Sequence, residues 1–459
     1  MKPPAIRRSP QLLPQRHSER GVTMVLMALA MVAILAMAAL SIDVVTLYLA
    51  NAEAQRSADT AALAAARVLS ISGMTGDPSN SAAGTVTNPW QQACVLATSV
   101  ATAVATQNTM GGAAPGQVTV TFPNNSNTTD CTDADPKFGV NPLVTVKVQR
   151  TDLPTFFARL WRRTGASVSA TATAEAFNSS NSGNVGNGAP SGQVTPVAPR
   201  CVKPWIVPNR DPGNPGGCIG PGCNGFVSAA DGSILNPGIQ VNGGTGVIGE
   251  GFWLTADCGG GASCSPPHTP TVFSISQLDY IPAAVSSTPT AVPGCSVGGA
   301  YEQAIAGCDQ STVYACGTPL GASIDLTENP GGNKGDTLNG VQCLINWPQQ
   351  DSLDQTNFPY RILAGPGNPL VNVGTPAISS GAAITTSNSI VTIPIYDGGP
   401  ITGNDVTIVG FLQAFIDGVN PGSGDVHVFV LNVSGCSSST SSPAVPGTSP
   451  VPVRLITYP

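Results

Sequence analysis

Charge is scarce in this chain. Asp, Glu, Lys and Arg make up 10% of its 459 residues, against about 25% in an average soluble domain. With a mean hydropathy of +0.13, that scarcity argues against a solvated, highly charged disordered chain. The net charge of −7 argues against general nucleic-acid binding, which wants a basic face. Histidine is nearly absent: three residues, His17, His268 and His427, leave little for histidine-based metal or catalytic schemes. Aromatics are 5%. There is no G-x-S-x-G elbow, no Walker loop and no zinc-protease helix signature. In their place stand 52 Gly, 41 Pro and 12 Cys, which read as a loop-rich, β-rich, exported chain of two or three domains.

Residues 1–21 carry Lys2, Arg7, Arg8, Arg16 and Arg20 against one acid, Glu19. Residues 22–42, from Val22 through Leu29 and Leu35 to Ile42, then run without a charge. As a helix this run is about 32 Å long, enough to cross a bilayer core. Its aliphatic side chains suit lipid, and a helix closes its own backbone hydrogen bonds there. The basic flank before the span and Asp43 after it place the N-terminus in the cytoplasm and the rest outside. A signal peptide has a shorter apolar region, and this one continues past Ala36-Met37-Ala38, the one tempting cleavage site.

The helix is expected to run on. From residue 41 to residue 72 there is neither Gly nor Pro, and Ala, the best helix former, dominates. Ala54, Ala58, Ala61, Ala62 and Ala65 recur at three- and four-residue spacing, which puts them on one side of a stalk over 43–70. Two uses of that small-residue face are open: close packing on a partner helix, or packing on the chain's own domain.

Residues 19–70 resemble the N-terminal segment of TadE/TadG-like Flp pilus-assembly proteins. The shared elements are Arg20-Gly21 before the span, an aliphatic helix ending in Asp43, and a stretch formed by Gln55, Arg56, Ala58, Asp59, Ala61, Ala62, Leu63, Ala64, Ala65 and Ala66. The resemblance implies a bacterial inner-membrane protein of the Tad secretion and pilus system. Processed prepilins of related type place Glu five residues after the cut; here Gly21 is followed by Val22-Thr23-Met24-Val25-Leu26, so a permanent anchor is the better reading.

A small α+β domain is expected over 71–177. Asn88-Pro89 reads as a helix start for residues 90–108. Residues 117–122 and 143–149 alternate as strands, with Val118/Val120/Phe122 and Leu143 or Val144/Val146/Val148 as inward sets. A short helix is expected at 154–163, where Phe156, Phe157, Leu160 and Trp161 oppose Arg159, Arg162 and Arg163. That pattern fits a helix packed on a sheet better than an interfacial membrane helix. Residues 166–177 alternate again. Residues 178–200 are Asn/Ser/Gly/Pro-rich and read as a flexible linker.

Residues 201–459 read as a Cys-rich, mainly-β domain, with strands at 271–278, 390–396, 406–416, 426–433 and 451–456. They hold Cys201, Cys218, Cys223, Cys258, Cys264, Cys295, Cys308, Cys316, Cys343 and Cys436; the inner domain holds Cys94 and Cys131. Even counts in segments outside the membrane favour disulfides, with connectivity undetermined. Zinc is disfavoured, because Cys218/Cys223 and Cys258/Cys264 lack the two-residue spacing and only His268 lies near a pair. The acid pairs Asp133/Asp135 and Asp325/Glu328 read as solvated turns as readily as Ca²⁺ ligands. Asp309-Gln310-Ser311-Thr312-Val313 lacks the second Ser of a von Willebrand A metal site.

The expected fold is therefore a single-pass membrane helix with a helical stalk, a small α+β domain and a mainly-β, disulfide-rich C-terminal domain. The expected function is a non-catalytic tether in Flp/Tad pilus assembly, with no cofactor and no metal. Its partners would be the lipid bilayer and, through the stalk, other Tad components; nucleic acid is excluded. The alternatives are a minor pseudopilin processed after Gly21, a membrane-anchored adhesin or carbohydrate-binding protein, and, more remotely, a periplasmic hydrolase.

Overall fold

A computed structural model describes residues 20–78, 89–123, 136–155, 157, 165–181, 195–214, 224–241, 245–257, 276–285, 289, 295–316, 323–325, 335–373, 377–436 and 444–457. Helix α1 (Arg20–Ile71) is one unbroken element of 52 residues, consistent with its Ala-rich, Gly/Pro-free interior. It changes character along its length. Large apolar residues are exposed from Val22 to Leu49, whereas Ala50, Ala54, Ala58, Ala61, Ala62, Ala65 and Ala66 are buried.

The buried half packs in the chain's own domain. Helix α2 (Pro89–Gln107) lies beside α1, and strands β1 (Gln117–Thr121), β2 (Leu143–Leu153) and β3 (Ala166–Ala176) form an antiparallel sheet across it. Val144, Val146 and Val148 point inward from β2, and Ala170, Ala172, Ala174 and Ala176 from β3. Alanine facing alanine lets helix and sheet approach closely, and a larger side chain would overfill that seam. Of the two uses open for the alanine stripe, intramolecular packing is the one observed. A one-turn helix α3 (Pro136–Val140) precedes β2. Of the helix expected at 154–163, residue 156 and residues 158–164 lie outside the described residues, as does Asn88.

The second half centres on a closed six-stranded barrel. Its strands are β5 (Trp205–Pro208), β6 (Gly251–Ala256), β7 (Gln277–Pro282), β11 (Ile390–Tyr396), β12 (Ile408–Val419) and β13 (Val426–Gly435), in the order β11-β12-β13-β6-β7-β5. Between β7 and β11 come helices α4 (Ala300–Ala306) and α5 (Asp336–Leu344) and a small sheet of β8 (Ser352–Asp354), β9 (Arg361–Leu363) and β10 (Ala383–Ile384). Strand β12 is buried on both faces over Ile408–Ile416 because loops cover the barrel's outside, as its continuous apolar run predicts. Of the strand expected at 271–278, residues 271–275 lie outside the described residues and only 277 and 278 fall in a strand, β7, which runs on to Pro282.

Among the described residues, three disulfides bind this half: Cys201–Cys308, Cys295–Cys343 and Cys316–Cys436. Each closes a long loop and is expected to stabilise the fold by about 2–4 kcal/mol.

Two expectations about organisation are corrected. Residues 178–200 are not a free linker where they are described. Asn178, Ser179, Ser180 and Asn181 are buried, the last three in a 3₁₀ turn. Strand β4 (Val197–Pro199) pairs in parallel with β14 (Val445–Gly447). Residues 182–194 lie outside the described residues. Nor does the last strand belong to the second half. Strand β15 (Val453–Ile456) pairs antiparallel with β3 and completes the first sheet as β1-β2-β3-β15. One apolar core consequently runs from the alanine face of α1 into the barrel interior.

Candidate functional site

Two features stand out: the bare apolar half of α1, and the joint where α1 ends against the barrel. Val22, Leu29, Leu35 and Ile42 are 66%, 63%, 63% and 48% exposed. Among the described residues, α1 is the one helix long and apolar enough to cross a membrane by length and composition. Its exposed apolar surface continues past residue 42 through Val44, Val45, Tyr48 and Leu49. The stretch 22–49 spans about 42 Å, longer than a hydrocarbon core of about 30 Å.

Asp43 interrupts this stretch, yet it is only 4% exposed. Its Oδ2 accepts the backbone N–H of Phe157 at 3.1 Å. The loop after β2 thus covers the first acid beyond the span, and a buried carboxylate gains the hydrogen bonding that burial requires. Phe157 itself remains 42% exposed beside it.

At the other end, α1 stops at a turn that only glycine fits. Gly73 has φ +74°, and a Cβ there would lie 2.3 Å from Ile248 Cγ2 and 2.5 Å from the Leu431 carbonyl. A buried polar network follows. Asn432 Nδ2 donates to the Ser70 carbonyl at 2.8 Å and to Thr75 Oγ1 at 2.9 Å. Asn178 Nδ2 donates to the Val433 carbonyl at 2.9 Å, and Asn181 Nδ2 to the Thr75 carbonyl at 2.8 Å. Ser70 Oγ donates to the Val451 carbonyl at 2.7 Å. Helix, barrel strand β13, the 178–181 turn and the C-terminal segment are hydrogen-bonded together at one point. Such networks rigidify when fully satisfied.

Chemistry-bearing groups elsewhere are dispersed. No group of three or more His, Cys, Asp or Glu that could hold a metal occurs among the described residues. His427 lies on β13, with Nδ1 3.3 Å from Asp417 Oδ2 and its ring between Trp253 and Phe429. Asp309 Oδ1 accepts the N–H and hydroxyl of Ser311 and so closes a turn. Lys203 is buried and donates to the carbonyls of Ile305 and Gly307 at 2.6 and 2.8 Å; burial pulls its ammonium down to about 7. Glu250 is buried against Asp211, and desolvation, helped by that neighbouring carboxylate, pushes it up to about 9.

Of the cysteines singled out in the sequence, Cys201, Cys295, Cys308, Cys316, Cys343 and Cys436 form the three pairs above, and Cys94 is also disulfide-bonded. Cys131, Cys218, Cys223, Cys258 and Cys264 lie outside the described residues, as do His268, Asp133, Asp135 and Glu328. Sequence reading missed the joint: Asn178, Asn181 and Asn432 carry no local signal that separates a buried amide from a loop residue.

Residues 21–68 match the Tad family of Flp pilus-assembly TadE/G-like proteins. The matched segment is α1 almost from end to end, both the bare apolar half and the buried alanine half. No curated protein and no solved structure matches the chain.

Proposed function

We propose that the chain is a non-catalytic component of Flp/Tad pilus assembly that tethers a rigid extracytoplasmic body to the bilayer. The observation that carries this reading is the change of character within α1. The helix that matches the pilus-assembly family exposes its aliphatic side chains over most of 22–49, Asp43 apart, and buries its alanine face in its own domain from Ala50 onward. In the reading, Val22, Leu29, Leu35 and Ile42 face lipid. Aliphatic side chains of this kind are unfavourable in water and favourable in hydrocarbon.

The basic residues ahead of the span keep the N-terminus cytoplasmic, and the remainder stands in the periplasm of a bacterial inner membrane. Disulfides support that side of the membrane, because they form and persist in oxidising compartments. The mechanism is mechanical: the span holds, α1 runs without a break into the first sheet, and the joint fixes the barrel to the end of the helix. Because the alanine stripe is buried, contacts with other pilus components fall to the outer surface of the sheet and barrel.

Deleting the gene in the native host and complementing it with the full chain or with one lacking residues 22–42 tests the role. The reading expects loss of Flp pili on deletion, visible by electron microscopy, with recovery from the full chain only. Normal pili in the deletion strain would refute it. N-terminal sequencing of the mature protein separates the pseudopilin alternative, in which the chain begins at Val22.

A further inference from the structure

Between Arg20 and Arg56, α1 carries two acids, Asp43 and Glu53. Each accepts a backbone N–H from the folded body: Asp43 Oδ2 that of Phe157 at 3.1 Å, and Glu53 Oε2 that of Gly111 at 2.6 Å. Each carboxylate is thus drawn onto the body. On the outer side of the helix Val44, Val45, Tyr48 and Leu49 are more than half exposed. Beyond them the exposed residues turn polar, with Asn51, Gln55 and Arg56. The outward apolar surface therefore ends near Leu49, not at Asp43. Residues 22–42 already match the hydrocarbon thickness at about 32 Å, and residues 43–49 add about 10 Å. A bilayer counted with its headgroups is about 40–45 Å thick, which leaves roughly 5–8 Å for each headgroup layer. The added turns of helix cover one such layer.

The body follows the helix down. Leu153 Cδ2 and Ala50 Cβ lie 2.5 and 3.7 Å from the Cβ position of Gly111, which sets the end of β2 level with Ala50. Four residues later Phe157 reaches Asp43, about 10 Å nearer the span. The chain after β2 thus descends along α1 and brings the exposed Phe157 to the inner edge of the outer headgroup layer. Beside this descent is a recess of about 310 Å³ with Leu47, Leu49, Ala50, Leu153 and Pro154 in its wall. Aromatic rings are favoured at the membrane–water boundary, and Phe157 and Tyr48 stand at its two edges. A second copy of the chain is a poorer occupant of this surface. Helices that pair in lipid approach through small side chains, and the alanine face of α1 is already buried. What 43–49 exposes is Val, Tyr and Leu.

We propose that the folded body is seated in the outer headgroup layer rather than held clear of it, with Val44, Val45, Tyr48, Leu49 and Phe157 in contact with phospholipid. This rests on the reading of residues 22–42 as the span, and position 32 reports on that reading separately. The test uses the full chain in nanodiscs of phosphatidylethanolamine and phosphatidylglycerol. Val32→Cys, Val45→Cys, Tyr48→Cys, Arg56→Cys, Phe157→Cys and Val373→Cys, made one at a time at exposed positions, each carry a nitroxide. Among the described residues no native cysteine is free to take the label. Collision with oxygen, which partitions into lipid, is compared with collision with a water-soluble nickel chelate. The oxygen-to-nickel ratio is expected to fall from position 32 through 45 to 48, and to reach the value of position 373 by position 56. Positions 45 and 157 should exceed position 373 at least threefold. A lipid-exposed position 32 with position 45 or 157 no different from 373 would overturn the proposal and leave the anchor standing. Dipolar broadening at position 48, with both reagents excluded, would put a second copy there and overturn it too. If position 32 itself matches 373, the anchoring reading fails and takes the seated body with it.

Discussion

Asn432 on β13 and Ser70 on the last turn of α1 are joined by a 2.8 Å hydrogen bond from side-chain amide to backbone carbonyl. They are 362 residues apart in sequence. This contact ties the end of the apolar helix to a barrel strand near the other end of the chain, and both residues are buried. Replacing Asn432 with Leu takes the side-chain donor from the Ser70 carbonyl and the Oδ1 acceptor from the Thr75 hydroxyl. A buried polar group left unsatisfied costs about 1–3 kcal/mol. The Asn432→Leu chain is therefore expected to lose about 2–4 kcal/mol in total, read from denaturant unfolding of the detergent-solubilised protein. An unchanged midpoint would mean the joint is not a stabilising element.

Gly73 makes the turn into that joint. Alanine there meets both a left-handed φ of +74° and a Cβ position 2.3 Å from Ile248 Cγ2. Left-handed backbone costs a non-Gly residue about 1–2 kcal/mol before any clash is counted. Gly73→Ala is expected to destabilise by about 3 kcal/mol or more. Gly381 has φ +83° and open space around it, so Gly381→Ala supplies a control that carries the backbone cost alone.

The alanine stripe gives a paired test of packing. Ala58 is fully buried between helix and sheet, and Ala52 on the same helix is exposed. Ala58→Leu overfills the seam and is expected to cost about 1–3 kcal/mol, while Ala52→Leu stays within about 0.5 kcal/mol of wild type. Equal effects at the two positions would contradict intramolecular packing of the stripe.

Much of this was legible in the sequence. The uninterrupted apolar and Ala-rich run announced α1, because helix propensity and length act locally. Strands β1, β2, β3, β11, β12 and β13 followed from alternation or from a continuous apolar run. What stayed hidden was set by distant partners. Asn178–Asn181 have linker composition and are held by hydrogen bonds to distant partners: Thr75, Val140, Asn141 and β13. Strand β15 reads as one more outer strand, and its pairing with β3 depends on where the barrel returns the chain.

Glu250 supplies a pH test. Its folded value of about 9 lies well above the ordinary carboxylate range near 4.3. The folded state therefore holds a proton that the unfolded chain gives up, and this group's contribution to stability falls as pH rises from about 4.5 to about 9. Glu250→Gln removes that loss and can still donate to Asp211. The variant should match wild type near pH 4.5 and exceed it by about 2 kcal/mol at pH 8. That figure is a discounted share of roughly 1.4 kcal/mol for every tenfold change in proton affinity. A stability difference that does not vary with pH would count against the carboxyl pair.

The central claim is that residues 22–42 lie in the bilayer and carry everything after Asp43 to its outer side. Single cysteines introduced at Ala5, Val32 and Val373 in a background without the native cysteines, labelled in intact spheroplasts with a membrane-impermeant maleimide, address it directly. Val373 is 61% exposed on the outer half. The account predicts labelling at position 373 in intact spheroplasts, at position 5 only after lysis, and at position 32 in neither case. Labelling of position 32 without disruption, or protection of position 373 until lysis, would contradict it.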